Sequence, residues 1–420
     1  MLRITVGAMA LSVMFISLSV KAATVSIACG AVGNEYQLCV EGANRWAERT
    51  GHQVKVVNTP QSANERLAMY QMLLREKHDT VDVFQIDVIW PGILHKYLVD
   101  LSQYAIDTSI YFDGLVKNNT VNDRLIALPW YVDVGLLYYR KDLLQKYNRD
   151  VPETWEEMRL TAEHIQKEEQ RNAPDFWGYV WQGDDYEGLT CNVVEWLVSH
   201  DAGNIVEADG KITLANNQAV SAFNEARSWM GRISPADVLD YREEDVRGSF
   251  QSGKALFMRN WPYAWNLLND SDLKGKVGVT VLPGSQKGKP SGALGGWQLA
   301  VTKASKHPEL AVDLVLYLAG EREQRLRAQH GYLPSIAALY EQVESSDSAG
   351  MYSAVNTALG NVALRPSTAT SRLYGKASRS IYSQVNRFLS GSGTADQLVS
   401  QIAQDIHHKS LGRLPLASEL

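Results

Sequence analysis

The sequence predicts a two-lobed α/β protein. Three observations carry that expectation: a strand–helix–strand pattern where the globular region begins, a length of 420 residues that exceeds what one hydrophobic core usually organises, and extended apolar segments placed where a chain would cross between lobes.

The first twenty-two residues stand apart from that region. Met1-Leu2-Arg3 is followed by an apolar stretch over 4–20 and by the run Val20-Lys21-Ala22-Ala23, which together have the three parts of a signal peptide. A membrane anchor is the competing reading, but Thr5, Gly7 and three serines interrupt the stretch and no stop-transfer flank follows it. Residues 1–22 are therefore expected to be a cleaved signal peptide and the mature chain to be periplasmic. Ser26-Ile27-Ala28 before Cys29 is too far from the apolar stretch to act as a lipobox. Loss of Arg3 and Lys21 moves the formal net charge from −6 to −8, and a modestly acidic chain argues against nucleic acid as a partner.

Thr24–Cys29 reads as a first strand. A helix follows with Leu38, Ala43, Trp46 and Ala47 on one face, then a stop at Gly51 and a second strand over 54–57. An amphipathic helix over 64–76 leads to Val81-Asp82-Val83-Phe84-Gln85-Ile86, a largely apolar run suited to a buried parallel strand. Residues 125–144 read as an extended segment, a crossing and a strand-to-helix passage. Helices are expected near 154–169 and 191–200, a strand over 255–259, and a helix opened by Asn260 with Pro262 in its first turn. Gly295-Gly296 precedes an apolar strand to Val301 and a helix near 307–319, a second return between lobes. No fixed-period repeat or low-complexity tract interrupts the pattern.

The chemistry-bearing residues narrow the function. G-x-S-x-G, H-E-x-x-H, a P-loop and a dinucleotide fingerprint are all missing, so neither a cofactor nor a metal is expected. His407 and His408 are adjacent, and neighbouring side chains on a helix diverge rather than share an ion. Cys29 and Cys39 could pair in an oxidising compartment, which would tie the first strand to its helix, or could be two small buried residues; Cys191 would be the odd thiol. Eleven tryptophans and nineteen tyrosines against eight phenylalanines favour flat surfaces with a polar edge. A carboxylate pair such as Asp87 and Asp133 could serve a glycosidase as acid and base, or could accept hydrogen bonds from the hydroxyls of a bound sugar.

The chain resembles the family 1 extracellular solute-binding proteins of ABC importers, and within them the trehalose/maltose-binding group. The likeness spans the mature chain. It rests on the Gly33-Asn34-Glu35 loop, the segment from Asp82 to Trp90, the run from Leu128 to Leu144, Trp181-Gln182-Gly183 with Tyr186-Glu187-Gly188-Leu189, Phe250 to Ala255 leading to Arg259-Asn260-Trp261-Pro262-Tyr263, and Gly295-Gly296-Trp297. The resemblance implies a type II periplasmic binding protein fold with the ligand cleft between lobes joined by hinge crossings. The lobes are expected over 23–130 with 299–345, and over 131–298 with 346–420. It implies a monomer that takes an α-linked disaccharide such as trehalose or maltose, closes on it, and delivers it to ABC permease subunits in the inner membrane. A secreted glycosidase acting on small α-glucosides is the alternative.

Ligand contacts are expected at strand ends and crossings. Glu35 follows the first strand and serves the ligand or caps its helix; Asp87 ends an apolar strand and needs a ligand or a cation. Arg66 reaches the cleft or sits exposed on its helix. Tyr131 and Asp133 flank Val132 in an extended segment, so both point to one side. Trp261 resembles the family's plate for a pyranose ring, Trp297 supplies a second plate, and Gly296 beside it allows close backbone approach. Arg365, in Leu364-Arg365-Pro366, resembles the subgroup's multidentate donor to hydroxyls, and Tyr186 and Glu187 are contributions from the far lobe. After Pro366 the run Ser367 to Tyr374 departs from the aromatic-rich segment of relatives.

Overall fold

The architecture is that of a computed structural model in which residues 22–342 and 349–417 are described; all but the last residue of the expected signal peptide lies outside them. The chain opens with β1 (Thr24–Cys29), the helix Glu35–Thr50, β2 (Gln53–Asn58), the helix Ala63–Arg75 and β3 (Val83–Asp87). β2 and β3 flank β1 in parallel, as expected for βαβ units. Gly51 ends the first helix in the left-handed conformation, φ 73°, and donates to Ala47 O at 2.9 Å, a turn that glycine adopts without a Cβ penalty.

A small hairpin of β4 (Thr120–Val121) and β5 (Arg124–Leu125) precedes β6 (Leu128–Val134), and after Gly135 the chain continues as β7 (Leu136–Arg140). Next come β8 (Trp177–Val180), β9 (Ala255–Asn260), β10 (Val277–Val281), β11 (Gly292–Val301), β12 (Leu333–Pro334) and β13 (Val362–Ala363). These strands build two larger sheets. One runs β12-β6-β11-β3-β1-β2, with β13 pairing to β11; the other runs β10-β7-β9-β8. The chain thus passes between sheets at Gly135 and again between β10 and β11. The lobe boundaries expected at 130/131 and 298/299 fall inside β6 and β11, both of which belong throughout to the seven-stranded sheet.

Helices cover the sheets with apolar faces. Trp46, Ala43, Leu314 and Val315 pack against Val25, Ile27 and Val301 of the larger sheet, while Tyr70 and Leu74 cover Ala28, Phe84 and Ile86. The four-stranded sheet is packed by helices that include Trp155–Glu169 and Glu243–Gln251, while Glu187–Ser199 and Tyr374–Leu389 pack on one another within the same lobe's apolar cluster. The first of these begins at a reciprocal cap, Thr154 Oγ1 accepting from Glu157 N at 3.2 Å and Glu157 returning a carboxylate oxygen to Thr154 N at 3.3 Å. Among the described residues no helix is long and apolar enough to cross a membrane.

One expected helix is displaced. Asn260 ends β9, paired with Leu136, and its side chain accepts from Trp261 N, so the helix begins only at Ala264 (Ala264–Asn269) and Pro262 precedes it. The ladder to β7 outcompetes the helix-start signal. Cys29 and Cys39 form a disulfide that joins the end of β1 to the second turn of the first helix, and Cys191 is a buried free thiol.

Candidate functional site

The two sheets meet at a cavity whose walls come from strand ends and crossings. Glu35, Asp87, Tyr131, Asp133, Tyr186, Glu187, Trp261, Gly296, Trp297 and Arg365 all line it. Arg66 stands just behind, its guanidinium carbon 4.3 Å from the centre of the Trp297 ring and Nη2 3.9 Å from Glu35. The period of two in β6 separates its faces: Tyr131 and Asp133 enter this cavity, and Val132 points away.

Each position has a local cause. Asp87 is the last residue of β3, where an apolar strand runs out into the crevice beyond its carboxyl end. Glu35 is the first helical residue after β1; it accepts from Val32 N at 3.1 Å, from Gln85 Nε2 at 2.9 Å and from the Tyr131 hydroxyl. Glu35 thus closes the turn before its helix and lines the cavity; it does not cap the helix, whose N-cap residue Asn34 makes no side-chain cap hydrogen bond. Gln85 also donates to Tyr131 Oη at 3.0 Å and accepts from Gly30 N at 2.6 Å, locking the loop after β1 to the hinge strand. Gly296 has φ +126°, and a Cβ there would lie 2.6 Å from Tyr131 O. At Gly295 a Cβ would approach the Trp261 ring to 3.1 Å, so this glycine is what lets the indole reach the strand.

Both cleft tryptophans are backed by buried arginines. Arg259 places its guanidinium 3.9 Å from the centre of the Trp261 ring and is itself held by Glu195, at 2.5 Å, and by Gln182 at 3.3 Å. Trp297 is backed by Arg66 and meets Trp90 edge-on at 5.6 Å. In each case one indole face is covered by a cation, and the ring quadrupole offsets part of the cost of desolvating it.

Arg365 spans the gap. Nη2 donates to Asp87 at 3.0 Å and Nη1 to Glu187 at 3.0 Å; Glu187 also accepts from Ser378 at 2.6 Å and from the Tyr374 hydroxyl. The open space left in the cavity is ≈ 70 Å³, well below the few hundred Å³ or more of a ligand pocket. The cleft is closed on its own side chains. Burial, then Glu35 and Asp87, pushes the Asp133 carboxyl up to about 8. Burial likewise raises Glu187 against the opposing pull of Arg365, Ser378 and Tyr374. Among the described residues no cluster of three or more His, Cys, Asp or Glu could hold a metal ion.

A larger cavity of ≈ 840 Å³ opens on the other face of the same strands, lined by Val132, Leu294, Phe112, Leu115, Leu359 and Val362 among others. Its walls are mostly apolar, with Lys117, Asn118, Asn122, Ser367 and Thr368 among the polar residues and Arg365 shared between the two cavities, whereas the carboxylates and indoles gather in the smaller cleft. Sequence reading missed several cleft residues: Glu243, Tyr263 and Tyr332 on the wall, and Gln85, Glu195 and Arg259 behind it. Gln85 left a signal, a polar residue in an otherwise apolar strand; Glu243 looked like an ordinary acidic helix start.

Residues 35–325 match a family model described as bacterial extracellular solute-binding protein. A Deinococcus radiodurans protein named "Probable ABC transporter-binding protein" is 44% identical over 370 residues, covering 87% of this chain and 88% of that relative. The solved structure of maltose-bound MalE3 from T. maritima is 33% identical with a TM-score of 0.85, over 92% of this chain and 100% of that one. A solute-binding protein of Thermotoga lettingae solved with α-D-tagatose, 19% identical with a TM-score of 0.81 over 92% of this chain and 99% of that one, shares the fold.

Proposed function

Because this chain belongs to the bacterial extracellular solute-binding protein family, whose members capture solutes rather than transform them, we propose that it is the periplasmic sugar-binding component of an ABC importer. Its ligand is an α-linked disaccharide such as trehalose or maltose. The observation that carries this reading is the convergence of two indole plates, Trp261 and Trp297, with Asp87, Glu187 and Arg365 in one crevice between two sheets. Flat rings cover the apolar C–H faces of pyranoses, and carboxylates accept from pairs of hydroxyls. The maltose bound to the T. maritima relative supports the same ligand class.

Function follows from exchange of partners. In the closed cleft Arg365 satisfies Asp87 and Glu187 itself. Rotation about the crossings at Gly135 and between β10 and β11 parts these groups, and a sugar entering the gap offers hydroxyls to each. Closure over the sugar then restores every charge-assisted bond through the ligand, so the closed form is selected by its additional contacts. Asp133, carrying a proton near neutral pH, is able to donate as well as accept. The closed monomer is the form that docks on permease subunits in the inner membrane.

Titration calorimetry with trehalose, maltose, sucrose and glucose tests the reading. A dissociation constant in the micromolar range or tighter for an α-linked disaccharide, with at least about tenfold weaker glucose binding, is expected. Absence of heat with every sugar would overturn it, as would release of glucose on prolonged incubation.

A further inference from the structure

Four arginines are buried around this cleft, and three of them have polar partners. Arg365 pairs with two carboxylates, Arg259 with Glu195, and Arg66 donates from Nε to Pro60 O at 3.2 Å. Arg327, in the helix Glu321–Ala328, is different. It is 3% exposed, and none of its three guanidinium nitrogens has a hydrogen-bond partner among the described residues. Instead the guanidinium carbon lies 3.9 Å from the centre of the Trp130 ring, 4.7 Å from that of Tyr332 and 4.9 Å from that of Tyr131.

Burying a cation without hydrogen bonds is costly, and desolvated cation–π contacts offset only part of that cost. The balance must be helped by negative charge nearby. Tyr131 and Tyr332 both feel Arg327 together with Glu35 and Asp133, so cation and carboxylates act on the same two rings. These rings are also cleft wall: Tyr131 and Tyr332 meet edge-on at 5.1 Å and both line the cavity, whereas Arg327 does not touch it. The Tyr131 hydroxyl in turn donates to Glu35.

We propose that Arg327 is a positioning residue of the sugar site, holding the Tyr131 and Tyr332 rings in place as a wall and supplying positive charge from behind them to the side of the cleft that carries Asp133. The inference rests on the sugar-binding reading for its consequence, and the Asp133 titration tests it without sugar. Groups facing Asp133 are Glu35 from the first helix, Asp87 from β3, Arg259 from β9 and Arg327. Of these, Arg327 and Arg259 oppose the upward pull of burial and of the two carboxylates.

The experiment is a carboxyl-carbon NMR titration of Asp133 in the ligand-free full chain, run on wild type, Arg327→Met and Arg327→Lys. Methionine keeps the bulk and removes the charge. The Asp133 midpoint is expected to rise by about half a pH unit or more in Arg327→Met and to stay near wild type in Arg327→Lys. Sugar affinity at neutral pH is expected to fall about tenfold in both, because an ammonium cannot lie flat on three rings. A folded Arg327→Met protein with an unchanged Asp133 midpoint overturns the proposal and leaves Arg327 as packing alone. If methionine prevents folding, Arg327→Lys decides: wild-type affinity overturns the positioning role, and weakened affinity with a retained midpoint supports it. Should wild type bind no sugar, the functional reading fails, while the Asp133 titration still decides for Arg327.

Discussion

Asp87 and Arg365 are joined by an ion pair of 3.0 Å at the mouth of β3, with side chains 10% and 3% exposed, although 278 positions separate them in sequence. The same guanidinium reaches Glu187, so one side chain ties the seven-stranded sheet to the helix Glu187–Ser199. Arg365→Ala leaves both carboxylates facing the cleft without a cation and removes the donor proposed for sugar hydroxyls. Disaccharide affinity measured by calorimetry is expected to fall at least about thirtyfold. Arg365→Lys is expected to recover little of it, since one ammonium cannot reproduce a fork that spans two carboxylates.

Stability should depend on pH through Asp133. Its folded-state carboxyl titrates near 8 because burial, then Glu35 and Asp87, disfavour the anion, whereas unfolded it titrates near the ordinary aspartate value of about 4. Between these values the folded chain binds more proton than the unfolded one. The contribution is therefore fully present below about pH 4 and is lost as pH rises through 8. Thermal unfolding of ligand-free protein between about pH 5 and 9 should show Asp133→Asn gaining on wild type by a few degrees towards the alkaline end. Parallel curves for the two proteins across that range would refute the assignment.

Trp261 is the plate most open to a direct test. Trp261→Ala is expected to weaken sugar binding by about tenfold to a hundredfold and to abolish most of the ligand-induced change in tryptophan fluorescence. Gly295→Ala acts on the same ring from the strand side. Its Cβ would lie 3.1 Å from both the indole and Asp133 Cβ, so affinity should drop while the thermal midpoint moves less than for Gly296→Ala, where backbone strain adds to the clash.

The disulfide predicts a measurable loop constraint. Cys29 and Cys39 close a ten-residue separation, and opening it should cost about 2–4 kcal/mol of stability. Because the enclosed loop carries Glu35, affinity should fall as well. Thiol counting in denaturant checks the pairing itself: one reactive thiol, Cys191, before reduction and three after.

How much of this was legible in sequence follows from the range of the interaction that fixes each feature. β1 and β3 show as short apolar runs and the alternation that sends Tyr131 and Asp133 to one side as a period of two, all set within a few residues, and they read directly from the chain. Asp87 announced itself as a carboxylate at the end of an apolar run. Arg259 and Glu195 did not, because a strand arginine and a helix glutamate look exposed until a partner 64 residues away removes both from solvent. Arg327 was equally silent: its partners are three ring faces, and no spacing rule marks those. The misplaced helix start at Asn260 is the same lesson at short range, with pairing to Leu136 overriding a good local cap.

The Glu195–Arg259 pair offers the sharpest energetic test, because the hinge is built around it. Both side chains are essentially inaccessible, and Glu195 also accepts from Ala293 N of β11 at 2.9 Å, so the pair reaches from β9 to the second crossing. Removing one member strands the other: Glu195→Ala should cost about 3–5 kcal/mol in urea unfolding. Gly135 explains why the first crossing carries no side chain, since a Cβ there would lie 2.0 Å from Glu195 Oε1 and 2.7 Å from Arg259 Nη2. Gly135→Ala alone should therefore destabilise by about 1–3 kcal/mol, as overpacking does. In the Glu195→Ala background the obstructing carboxylate is gone, and most of that added cost should vanish. A double-mutant cycle measures the difference, and coupling below about 0.5 kcal/mol would show that Gly135 is required for its backbone rather than for the space it leaves to Glu195.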